Sequence, residues 1–122
     1  MSKTTELVNE TELNAAEQEA ESSSSVYTAK LAEPVEYEDK TYTEITFDFG
    51  ALTGEDALAI ESELDLLGKP LIAPEFSGEY LIRMASRASN PRVGTDFLKQ
   101  LPIGVFNKIR NKGRSFLLKS GL

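Results

Sequence analysis

The chain has 122 residues and a net charge of −7, enough for one domain with or without a tail. It contains no cysteine, histidine or tryptophan. That removes disulfide scaffolds, thiolate zinc sites, cysteine nucleophiles, histidine bases and the serine–histidine–aspartate triad, while carboxylate-only magnesium or calcium sites stay open.

Residues 1–25, MSKTTELVNETELNAAEQEAESSSS, are acidic and end in four serines. Leu7, Val8 and Leu13 offer too little apolar surface to offset the entropy of ordering, so a disordered tail is expected. ELNAAEQEAE contains good helix formers, but a helix that short is marginal alone. Residues 26–122 are expected to form a single folded domain of α+β class, a β-hairpin followed by three to four helices.

The hairpin is expected at about 26–49. VYTAKL puts Tyr27, Ala29 and Leu31 on one side of a strand. Pro34 cannot donate to a ladder, which suits an edge strand or a bulge. A turn at Glu38-Asp39-Lys40 leads into TYTEITFDF. There Ile45, Phe47 and Phe49 share one face, with Tyr42, Glu44, Thr46 and Asp48 on the other.

Helices are expected at about 54–67, 76–89, 95–101 and 103–119. Thr53 and Asp56 are spaced as a capping box. Ala57, Ile60, Leu64 and Leu67 share a face, Gly68 stops the helix and Pro70 follows the break. Glu55, Asp56, Glu61, Glu63 and Asp65 make its other side acidic. Tyr80, Leu81, Met84, Ala85 and Ala88 form a narrow stripe with Arg83 and Arg87 opposite. Asn90-Pro91 ends that helix. Thr95 caps a short turn, and Pro102 suits the first turn of the last helix.

In that last helix Val105, Phe106, Ile109, Gly113, Phe116 and Leu117 fall within about 120° of arc. Lys108, Lys112 and Lys119 flank one edge, and Arg110 and Arg114 the other. Gly113 costs up to about 1 kcal/mol relative to alanine in a helix, which suggests a break or a close approach by another backbone. Core packing is the plainer account of Phe106 and Ile109. It is weaker for Phe116, Leu117 and Leu118, which cluster near the C-terminus.

Charge is divided unevenly. Residues 1–80 hold four Lys/Arg and 19 Asp/Glu, while residues 81–122 hold nine Lys/Arg and only Asp96. A nucleic-acid-binding end, a partner-binding end, mutually attracting halves and a solvated basic face all fit this split. Nucleic acid is disfavoured, because the basic residues are spread over two helices with no reading helix and the rest of the chain repels phosphate. No catalytic, metal or cofactor motif is present. Glu61 and Asp65, and likewise Glu36, Glu38 and Asp39, read as solvated acids. The expectation is a protein that is not an enzyme and uses no cofactor. No apolar run approaches the roughly 20 residues that span a bilayer. The start lacks the apolar core of a signal peptide. Together these point to the cytoplasm and away from membranes.

The order of elements, YTAKLAEPVEYEDKTYTEITFDFGALTGED, then EYLIRMASRA, DFLKQLP and a final FLLKSGL, resembles the tail assembly chaperones of long-tailed bacteriophages. The resemblance covers about residues 26–122. It lies in the order and spacing of short motifs, and Asp39 stands where the family often has glycine. It implies a binding function in the host cytoplasm. Such proteins associate with the helical tape measure protein, keep it soluble, help recruit tail tube (major tail) subunits, and are absent from the mature virion. Self-association stays open. Phe106, Ile109, Arg110, Arg114, Phe116, Leu117 and Leu118 are the candidate partner-binding residues, apolar anchors with a charged rim. A small phage nucleic-acid-binding protein and a structural tail component are the alternatives.

Overall fold

A computed structural model describes residues 25–69 and 71–120. The expected disordered tail, except Ser25, and the expected break at Pro70 lie outside the described residues. Ser25 itself is tied to the fold, its carbonyl accepting from Phe49 N–H at 2.8 Å.

The fold is α+β, a three-stranded antiparallel sheet accompanied by four helices. Strands β1 (Val26–Tyr37) and β2 (Lys40–Asp48) form the hairpin. They are joined by Glu38 and Asp39 alone, with φ of 52° and 67°. Left-handed backbone at both central residues is what a two-residue type I′ turn requires. Lys40 therefore belongs to β2, not to the turn as expected. Asp39 adopts the conformation glycine prefers, so its side chain does not prevent the tight turn.

Pairing is regular from Val26↔Asp48 to Lys30↔Glu44, then shifts register before Val35↔Tyr42. Pro34 lies inside that irregularity, as its missing N–H demands. Bulges re-aim side chains, and opposite this one the alternation of β2 breaks. Tyr42, expected with the solvated residues, is buried together with Ile45 and Phe47. A third strand, β3 (Ser89–Asn90), pairs with the far side of β2 at Thr46 and Phe47. The sequence pattern gave no sign of it, because two polar residues carry no alternation.

Helix α1 (Gly54–Leu66) starts where Thr53 N–H donates to the Asp56 carboxylate at 2.9 Å. It ends in a Schellman arrangement: Gly68 N–H donates to Asp65 O and Lys69 N–H to Leu64 O, with Gly68 at φ +71°. Ile60 and Leu64 are buried. Leu67, expected on their face, is mostly exposed, because the chain has already turned away. A 3₁₀ turn at Pro74–Phe76 precedes α2 (Gly78–Ala88), so this helix begins two residues later than expected. The Ser77 hydroxyl caps it, accepting from Tyr80 N–H at 3.1 Å.

Tyr80, Leu81, Met84, Ala85 and Ala88 of α2 are all buried, and Ile82 with them. Short α3 (Thr95–Lys99) has Gly94 as its cap residue instead of Thr95, and ends two residues early. Helix α4 (Ile103–Lys119) follows Pro102, which sits just before its first turn.

The core lies between the inner face of the sheet and the helices. Two aromatic groups run through it. Tyr27, Phe47, Phe49 and Phe116 stack in a row, with successive centroids 6.3, 6.2 and 5.8 Å apart. Phe97 of α3 packs edge-on against Tyr37 and Tyr42, at 4.9 and 5.3 Å. Burying a phenylalanine ring as fully as Phe47, Phe49 or Phe97 contributes about 1.5–3 kcal/mol. Among the described residues Ser89 is the buried polar one; its hydroxyl donates to Ser86 O at 2.7 Å and accepts from Val93 N–H at 2.9 Å, so it is satisfied.

Candidate partner-binding surface

Helix α4 is held against α2 by the absence of a side chain. A Cβ at Gly113 would lie 3.0 Å from Met84 Cε and 3.7 Å from Leu81 Cδ2 and Phe49 Cε1. The helix runs through Gly113 without the expected break, and its close neighbours are side chains, not another backbone. Ile109, one turn earlier, is 0% exposed. It is core, and no partner reaches it.

The other candidate residues separate. Phe106, Phe116 and Leu117 are half-buried and pack on the core. Phe116 rests on Phe49, so it anchors α4 as well as presenting an edge. Arg110 lays its guanidinium over the Phe106 ring, 5.1 Å from the centroid, and donates to Asn107 Oδ1 at 2.6 Å. The same guanidinium touches the space a Cβ of Gly78 would fill. Arg114 donates from Nε to Glu75 O at 2.8 Å and from Nη1 to Asn111 Oδ1 at 3.0 Å. Arg114 therefore braces α4 against the 74–76 turn, and Arg110 packs along α4 and against the start of α2. Leu118, at 51% exposure, is the open member of the set.

Two exposed apolar residues were not expected here. Ile103 opens α4 at 76% exposure, and Phe76 sits in the Arg114-braced turn at 71%. Ile103 and Phe106 line a small hollow of about 170 Å³ with Leu101 and Lys99. Ile103 lies off the stripe of Phe106, Ile109, Phe116 and Leu117. Phe76 lay in a Pro-containing connection without periodicity. An aromatic in such a connection, with no patterned partner, was the available signal.

The uneven charge is partly resolved within the fold. Arg87 pairs with Asp56 at 2.8 Å and with Glu63 at 3.7 Å, and Arg83 with Glu63 at 3.2 Å. Glu79 gathers Lys69, Arg83 and Lys99 within 3.5–3.6 Å. Asp56 and Glu63, on the side of α1 expected to be solvated, thus face the arginines of α2, whereas Glu55 and Asp65 are exposed. The Thr53 N–H bond, and then Arg87, holds the Asp56 carboxyl below its usual range. The Tyr37 hydroxyl donates to Asp96 Oδ1 at 2.8 Å, and that bond leads the causes that push the phenol up.

Among the described residues no three acidic side chains converge as a metal site. Among them, too, no helix is long and apolar enough to cross a membrane. No family model, curated protein or solved structure matches this chain.

Proposed function

We propose that this chain is a bacteriophage tail assembly chaperone. It binds the tape measure protein in the host cytoplasm, keeps it soluble, helps bring tail tube subunits to it, and is not retained in the mature virion. The motif order noted above supports this. The observation that carries it is that three apolar side chains along and beside α4, Ile103, Phe76 and Leu118, are exposed. A helical client with apolar stripes is recognised by such a surface, where apolar and aromatic anchors supply most of the energy and rim charges set encounter and specificity. Release during assembly favours small, separated anchors over one large obligate interface.

Five of the basic side chains are already engaged within the fold, which speaks against nucleic acid as the main ligand. Arg83, Arg87 and Lys99 face carboxylates, and Arg110 and Arg114 are occupied along α4. The test is co-expression with the tape measure protein of the same phage, scored by that protein's solubility and co-purification. A soluble complex supports chaperoning. Precipitation of the tape measure protein, with nucleic acid retained on this chain at low salt, overturns it. Recovery of the chain from purified virions would instead make it a structural tail component.

A further inference from the structure

The outer edge of β1 pairs with no strand among the described residues. Between that edge and the start of α4 runs a groove in two parts. One, of about 480 Å³, is walled by Leu31, Val35, Pro102 and Val105, and the other, of about 530 Å³, shares Pro102 and Val105 and adds Lys30 and Lys108. The first part is apolar, with Glu33 at its rim. Neither Lys30 nor Lys108 has a carboxylate partner among the described residues, whereas the arginines of α2 are paired. Lys112, one turn beyond Lys108, lies over the Tyr27 ring at 5.4 Å on the same side.

We propose that the occupant of this groove is the chain's own N-terminal segment, residues 1–24. Three observations select it. Its charge is complementary: it carries six glutamates and a single lysine. It brings apolar anchors, Leu7, Val8 and Leu13, to a groove whose remaining walls are apolar. It is tethered where it must be, because β1 begins at Val26 and Tyr27 already lines the groove. The twelve residues between Leu13 and Val26 reach about 40 Å when extended, ample to double back along β1. The segment then covers the open edge of β1, the kind of edge that natural sheets protect from pairing with other chains. A tethered ligand acts at high effective concentration, so weak contacts suffice. This inference does not depend on the chaperone function.

The full chain has no cysteine, so a single nitroxide label can be placed by Asn9→Cys or by Asn14→Cys, beside Val8 or Leu13. Amide signals of Leu31, Val35, Val105 and Lys108 should be attenuated far more than those of α1. Raising the salt to about 1 M, where the Debye length is about 3 Å, should remove most of that difference. Lys30→Glu with Lys108→Glu should do the same while leaving the remaining amide shifts in place. Attenuation confined to residues next to Val26, or spread evenly over the domain, overturns the proposal. So does attenuation that disappears when labelled chain is diluted with unlabelled chain, which would make the occupant a second copy.

Discussion

Phe116 stacks on Phe49, with ring centroids 5.8 Å apart and planes 26° from parallel. The contact closes the row of rings from β1 to α4, so the C-terminal half of α4 is part of the core as well as a candidate surface. Phe116→Asp should therefore lower stability, not only binding. A half-buried ring lost to a charge is expected to cost about 2–4 kcal/mol, somewhat less than the roughly 3–5 kcal/mol of truncating a fully buried aromatic. Urea unfolding checks this. A midpoint equal to that of the unsubstituted chain would show that the ring contributes nothing to the fold.

Binding is better probed where the fold is indifferent. Ile103→Asp and Leu118→Asp change side chains that are mostly in solvent, and such substitutions usually alter stability by no more than about 0.5 kcal/mol. Each should weaken co-purification of the tape measure protein while the thermal midpoint stays put. Undiminished recovery with both substitutions together would remove α4 from the interface.

Gly113 sets the distance between α4 and α2. Alanine there gains up to about 1 kcal/mol of helix propensity. It meets Met84 at the flexible tip of its side chain, so Gly113→Ala should be close to neutral. Gly113→Leu has no such escape against Leu81 and Phe49, and should cost about 1–3 kcal/mol through overpacking. Equal melting temperatures for the two variants would show that the helices are not in close contact here.

The Glu38-Asp39 turn holds two non-glycine residues at positive φ. Glu38→Asn with Asp39→Gly supplies the pair that type I′ turns prefer. The double variant should gain about 1 kcal/mol, the scale of left-handed strain relieved at one or two residues. A loss of stability in chemical denaturation would mean that the carboxylates stabilise the turn in some other way.

Stability should fall at both ends of the pH scale. Asp56 has a lowered folded pKa, chiefly from Thr53 N–H and then Arg87. Its contribution is present above the ordinary aspartate value and is lost as pH falls through the folded value. Tyr37, Tyr27 and Tyr80 have raised values, Tyr37 mainly through the bond to Asp96 and the others mainly through burial. Their contribution is present below pH about 10 and is lost as pH rises through the folded values. With no histidine in the chain, these groups add no slope near neutrality. Asp56→Asn should flatten the acid limb of a melting-temperature profile, and Tyr37→Phe the alkaline limb. An unchanged profile in either variant rules out that group.

The sequence alone determined the elements whose causes are local. Alternation in Ile45, Phe47 and Phe49 marked β2, and Pro34 marked the irregular edge of β1. Thr53, Asp56 and Gly68 bounded α1 through bonds made within a turn or two. The stripe from Tyr80 to Ala88 marked α2 because one helical face must leave water. Tertiary structure decided what depends on distant partners. Tyr42 went inside because a bulge re-aimed it onto Phe97. Ser89 and Asn90 became a strand because β2 had a free edge to offer. Arg83 and Arg87 turned to carboxylates 20 or more residues away. The candidate site divided for the same reason. Periodicity places Ile109, Phe116 and Leu118 on a helix, but only the arrival of Met84, Leu81 and Phe49 beside Gly113 settles which of them remain in contact with water.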